Sequence, residues 1–254
     1  DNVMSYIQVK PIELQDLHLS ERAINFVEEY APRLTKPYAI GRLPDNYPNY
    51  ACMSDSPDRF LIGVRCNVIQ SDLETNFCHE LFHAYQITTG FPTVVGYEND
   101  TRVFCEHLRS TILDLSDNDV LKAHGLTYQN IIRARHKQCK RLCATSFKEI
   151  DNQYKKDLLL IDLILDLSDL TAIQGDAILQ VLKLNLPDVY EKYHEYHRII
   201  FERNDYHTQE GCLNIFSAVF SDIGLWGTCA IVYQGEKIKT PHMLKRVICS
   251  TSSN

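Results

Sequence analysis

Residues 76–86 read NFCHELFHAYQ, and His79, Glu80 and His83 stand there in the order His-Glu-x-x-His. In a helix, His79 and His83 share one face, about 6 Å apart along the axis. Two imidazoles so placed can reach one ion at the ~2.0–2.1 Å that zinc takes to histidine nitrogen. Glu80 lies about 100° round the helix from His79, beside such an ion rather than on it. From there its carboxylate can take a proton from water that the metal activates. The chemistry expected is metal-assisted hydrolysis with Zn2+ as cofactor and Glu80 as general base. The plain alternative is an amphipathic helix carrying two surface histidines.

The neighbouring sequence supplies elements to hold these residues. RFLIGVRCNVI (59–69) is rich in β-branched and aromatic side chains and reads as a strand leading into the motif. Ser71 and Glu74 form an S-x-x-E capping box, so a helix should start there and run to about Thr89, before Gly90 and Pro92. Leu73, Phe77, Leu81 and Tyr85 make an i,i+4 stripe separate from the histidine face, so the helix can pack without burying the histidines. A second helix should begin near Asn99 or Asp100 and continue through TRVFCEHLRSTIL.

Further out, residues 13–32 read as a first helix stopped by Pro32, and LPDNYPNYACMSDSPD (43–58) as loop and turns. DLSDNDVLKAHGLTYQ is polar and turn-rich, which makes residues 116–126 the expected boundary between a metal-binding subdomain, 1–116, and a mostly helical one, 117–254. Helical patterns cover 128–147, 153–169, 174–185, 187–203 and 209–222. GTCAIVYQGEKIK near the end reads as a short strand with a turn at Gly235, and Trp226 as a core residue beside it. The fold class expected is α+β, with the strand-and-helix elements in the first half.

Bulk properties bound the function. The 254 residues are 44% hydrophobic and 23% charged, enough to bury a real core. A net charge of −7 argues against nucleic acid or an anionic membrane surface as partner. The basic run RARHKQCKRLC (133–143) reads as a solvated helix face. Nine cysteines without a repeating framework fit reduced thiols and a cytoplasmic setting. The longest apolar run, LLLIDLILDL, is interrupted by Asp162 and Asp166 and is too short to span a bilayer.

HELFH following the strand FLIGVR resembles the zincin superfamily of zinc metallopeptidases. No third histidine follows closely, since Gln86, Thr89 and Phe91 occupy that stretch, so the gluzincin arrangement with a carboxylate third ligand is the nearer likeness. YENDTRVFCEHL (97–108) is similar, loosely, to the helix that supplies this carboxylate in the ImmA/IrrE group of intracellular metallopeptidases. That resemblance implies a zincin-like N-terminal half, with His79, His83 and Glu98 as metal ligands. Glu106 fits two antiparallel helices better by position, and Asp100 is a third candidate. His194 or His197, in YEKYHEYHRIIFERNDYH, could stabilise an oxyanion or simply belong to an amphipathic helix. The function expected is a zinc metallopeptidase acting on a protein or peptide. The rival is a catalytically silent, metal-stabilised module that recognises a partner protein.

Overall fold

The structure is a computed structural model that describes residues 9–128, 137, 139, 141 and 153–251. The chain forms a mixed α+β structure whose C-terminal half is helical. It divides into two compact units, Asp1–Thr89 with Asp117–Ile131, and Gly90–Ser116 with Ile132–Asn254. The sequence had suggested a division at 1–116 and 117–254.

The first unit is built on a four-stranded sheet of β1 (Lys10–Ile12), β2 (Tyr38–Arg42), β3 (Ala51–Asp55) and β4 (Phe60–Val64), in the spatial order β1-β2-β4-β3. β2 and β4 run parallel, with Ile40 opposite Ile62, while β3 lies antiparallel to β4, with Met53 opposite Ile62. The predicted strand is therefore an interior strand, buried at Phe60, Ile62, Gly63 and Val64. The edges are β1 and β3, and β3 lies inside the stretch expected to be loop. Its residues, ACMSD, are almost all half-buried and show no two-residue alternation, so the pattern that marks a strand is missing.

Two helices pack with this sheet, α1 (Glu21–Tyr30) and α2 (Gln70–Thr88). The single first helix expected over 13–32 is broken. A short 3-10 turn covers Leu14–Leu17, His18 takes a left-handed φ of 49°, and α1 starts afresh after Ser20. The core gathers Phe26, Ile62, Phe77, Leu81 and Phe82, so the apolar stripe of α2 buries as its spacing predicts. The capping box does not form, because α2 begins earlier, after Ile69. Glu74 instead accepts a hydrogen bond from the Ser20 backbone N–H at 3.0 Å and lies 3.9 Å from Arg22, tying the start of α1 to α2.

The second unit contains a three-stranded antiparallel sheet, β5 (Thr93–Gly96), β6 (Cys229–Tyr233) and β7 (Glu236–Ile238). The β6–β7 hairpin turns at Gln234 and Gly235, with φ of 49° and 79°, the two positive values a tight hairpin turn needs. Its helices are α4 (Gln153–Ser168), α5 (Ala172–Asn185), α6 (Pro187–His197, continuing as a π-helical turn over Arg198–Glu202), α7 (Gln209–Ile223) and α8 (Pro241–Thr251). Leu108, Ile112, Ile161, Tyr196, Phe216 and Phe220 lie at the centre of its core. Trp226 is half-buried with its ring 5.2 Å from Phe220, and its indole N–H donates to Ser221. The helical pattern at 128–147 and the basic run at 133–143 fall almost wholly outside the described residues.

The helix α3 (Asn99–Ala123) is one continuous element, and the division between the units falls within it, between Ser116 and Asp117. It runs straight through most of the polar segment expected to be a boundary. The reason is visible in its side chains: Leu115 and Leu121 are buried, and so are the polar Ser116, Asp117 and Asn118. Burial holds helical a stretch whose local composition favours turns.

Candidate metal centre

Helix α2 presents the motif as its spacing requires. His79 and His83 are both half-buried, with ring centroids 4.5 Å apart at 81° and their Nε2 atoms 3.1 Å apart. That separation would let both nitrogens serve one ion at the ~2.0–2.1 Å zinc takes to histidine nitrogen. The Nδ1 atom of His83 is hydrogen-bonded to Gln86 Oε1 at 2.9 Å. His79 makes an ion-pair contact through Nδ1 with Asp117 Oδ2 at 2.5 Å, and the same oxygen lies 3.9 Å from His83 Nε2.

Asp117 is fully buried, and Asp114 stands three residues earlier on the same helix, hence on the same face. Ligand atoms of His79, His83, Asp114 and Asp117 all lie within 4.8 Å of one another. Among the described residues this is the one group of histidine, cysteine and carboxylate side chains that could hold a metal ion. Two imidazoles and two carboxylates form a nitrogen-and-oxygen donor set suited to zinc and to other divalent first-row metals. The donors fit such an ion.

Glu80 does not belong to this group. It is half-buried and directed so that its charge acts on Cys52 of β3: burial first, then the Glu80 carboxylate, push that thiol up to about 11. The general-base candidate is thus near enough to β3 for its charge to act on Cys52. Tyr128 is half-buried, with its ring centroid 6.5 Å from that of His79.

The carboxylates named from sequence fare differently. Glu98 immediately precedes α3, where its backbone N–H donates to Thr101 Oγ1 at 3.1 Å, and Asp100 lies in the first turn. Neither they nor Glu106 enter the group around the histidines; Asp114 and Asp117 do. The discrepancy follows from the length of α3. Because it continues to Ala123, DLSD becomes a helical i,i+3 pair of aspartates. His194 and His197 lie on α6, where His194 stacks edge-on to Tyr190 at 4.3 Å. Burial, helped by His194, holds His197 below its ordinary pKa against the opposing pull of Glu202. Neither belongs to the group around His79 and His83.

Compared with protein-family models, with curated proteins and with solved structures, the chain matches none. Among the described residues no helix is long and apolar enough to cross a membrane.

Proposed function

We propose that this protein is a zinc-dependent hydrolase that cleaves a peptide bond in a protein or peptide substrate. The observation that carries the reading is the convergence of His79 and His83, their Nε2 atoms 3.1 Å apart, on a buried aspartate from a second helix. In this reading His79, His83 and Asp117 hold the metal, with Asp114 adding negative charge beside them. Zinc in such a site supplies a Lewis acid that makes water nucleophilic near neutral pH.

The rest of the chemistry belongs to the chain. Glu80 takes the proton from the attacking water and returns it to the leaving amine. Tyr128 offers its hydroxyl to the negative charge that develops on the carbonyl oxygen. The edge strand β3, whose Cys52 feels the Glu80 charge, gives an extended peptide a backbone to pair with, so that its scissile bond passes the motif. The strand that leads into the motif, β4, cannot take this role, because the sheet order makes it interior. A cytoplasmic setting remains part of the proposal, on cysteine usage alone.

One observation favours a second reading. Two histidines and two aspartates can fill a tetrahedral shell without water, as in sites where the metal only stabilises a fold. A partner-binding module would then be the outcome. The deciding experiment measures zinc content and hydrolysis of a mixed library of internally quenched peptides, for wild type and Glu80→Gln. The hydrolase reading expects about one zinc per chain in both, with activity lower by about 10²–10⁴-fold in the variant. Zinc in both without any hydrolysis by wild type favours the module, and absence of zinc from both removes the metal reading.

A further inference from the structure

Gln86 is 1% exposed, an unusual place for an amide on a helix that also carries a row of apolar residues. Burying an amide is costly unless it is hydrogen-bonded. Its Oε1 lies 2.9 Å from Nδ1 of His83, one turn earlier on α2. A neutral imidazole carries one N–H. If Nδ1 donates to Gln86, the lone pair is left on Nε2, the atom that faces His79 Nε2 at 3.1 Å.

We propose that Gln86 is a positioning residue for the metal centre, fixing His83 in the tautomer and ring orientation that present Nε2 to the ion. The inference rests on the metal site proposed above and extends it to a residue outside the motif. The direction of the amide matters. With the –NH2 end turned to Nδ1, the proton would move to Nε2 and close that nitrogen to a metal. A carboxylate at position 86 accepts with either oxygen and preserves the arrangement, whereas a thioether of similar length cannot. Partners of this kind behind a ligating histidine are worth about 10–100-fold in metal affinity.

The test compares wild type, Gln86→Glu and Gln86→Met. Zinc affinity is read by competition with a chromophoric chelator, and His83 is read by 15N chemical shifts in the zinc-loaded wild type. Gln86→Met should bind zinc about 10–100-fold more weakly, and Gln86→Glu as tightly as wild type or tighter. The wild-type spectrum should show His83 protonated at Nδ1 and metallated at Nε2. A purely structural role for Gln86 predicts the opposite ranking, since a buried carboxylate harms packing more than methionine does. Equal affinities for wild type and Gln86→Met, weaker binding by Gln86→Glu than by Gln86→Met, or metallation of His83 at Nδ1 would each overturn the proposal. The 15N measurement needs no variant, so it decides the matter even if Gln86→Met fails to fold. Wild type that binds neither zinc nor cobalt overturns the metal site itself, a distinct result from zinc binding that is indifferent to residue 86.

Discussion

Replacing Asp117 by Asn keeps the size and most of the polarity of a fully buried side chain while removing its charge. The carboxylate contacts His79 Nδ1 at 2.5 Å and lies 3.9 Å from His83 Nε2, and its full burial leaves its attraction for a bound cation only weakly screened. Breaking one partner of such a buried charge pair costs about 3–5 kcal/mol. At about 1.4 kcal/mol per tenfold, zinc affinity should fall by about 10²–10⁴-fold.

That loss has a thermal signature. At zinc about 1,000 times above the wild-type Kd, binding stabilises the folded state by about 4 kcal/mol. For a chain of this size each kcal/mol moves Tm by about 2–4 °C, so wild type should gain about 8–16 °C. Under the same conditions Asp117→Asn sits at or below about tenfold above its own Kd. It should gain at most about 1.4 kcal/mol, or about 3–6 °C. Differential scanning fluorimetry with and without zinc reads both shifts, and referring each protein to its own metal-free Tm removes any effect of the substitution on the apo fold. Glu98→Gln serves as the control and should gain as much as wild type. A full shift in Asp117→Asn together with a lost shift in Glu98→Gln would refute the ligand set drawn from the structure and restore the one suggested by sequence resemblance.

The remaining predictions concern the supports of the site. Glu80→Gln should lower the Cys52 pKa from about 11, because the glutamate charge adds to burial in raising it. Since the thiolate is the reactive form, alkylation of Cys52 at pH 9 should be faster in the variant, and an unchanged rate would place Glu80 away from β3. Glu74→Ala leaves the Ser20 N–H without its 3.0 Å acceptor and should cost about 1–3 kcal/mol in urea unfolding, while Glu74→Gln, still an acceptor, should cost less. Gly211→Ala would put a methyl group 1.8 Å from the Asp205 carbonyl oxygen, so α7 must shift to accept it. A loss of about 1–3 kcal/mol is expected, and an unchanged unfolding midpoint would mean that this approach is looser than the structure has it.

What could be read from the sequence depended on whether a residue's role was local. His79, Glu80 and His83 lie within one turn and a half of one helix, and the apolar stripe that orients this helix is periodic, so both motif and packing face were legible. The hairpin at Gly235 was legible for the same reason, its turn residues sitting between short apolar runs. Asp114 and Asp117 were not. DLSDND carries the residues that favour turns, and only burial makes it helical, a property that local composition does not record. The available clue was stereochemical: a histidine pair with no third histidine close by, and two aspartates at i,i+3 that share a face if the following Leu115, Leu121 and Leu126 are core. The edge strand β3 escaped notice because its side chains are half-buried on both faces, which removes alternation. Gln86 was seen only as the absence of a histidine. Its place beside His83 shows why the positions around a ligand must be weighed for what they can accept, and not only for what they can coordinate.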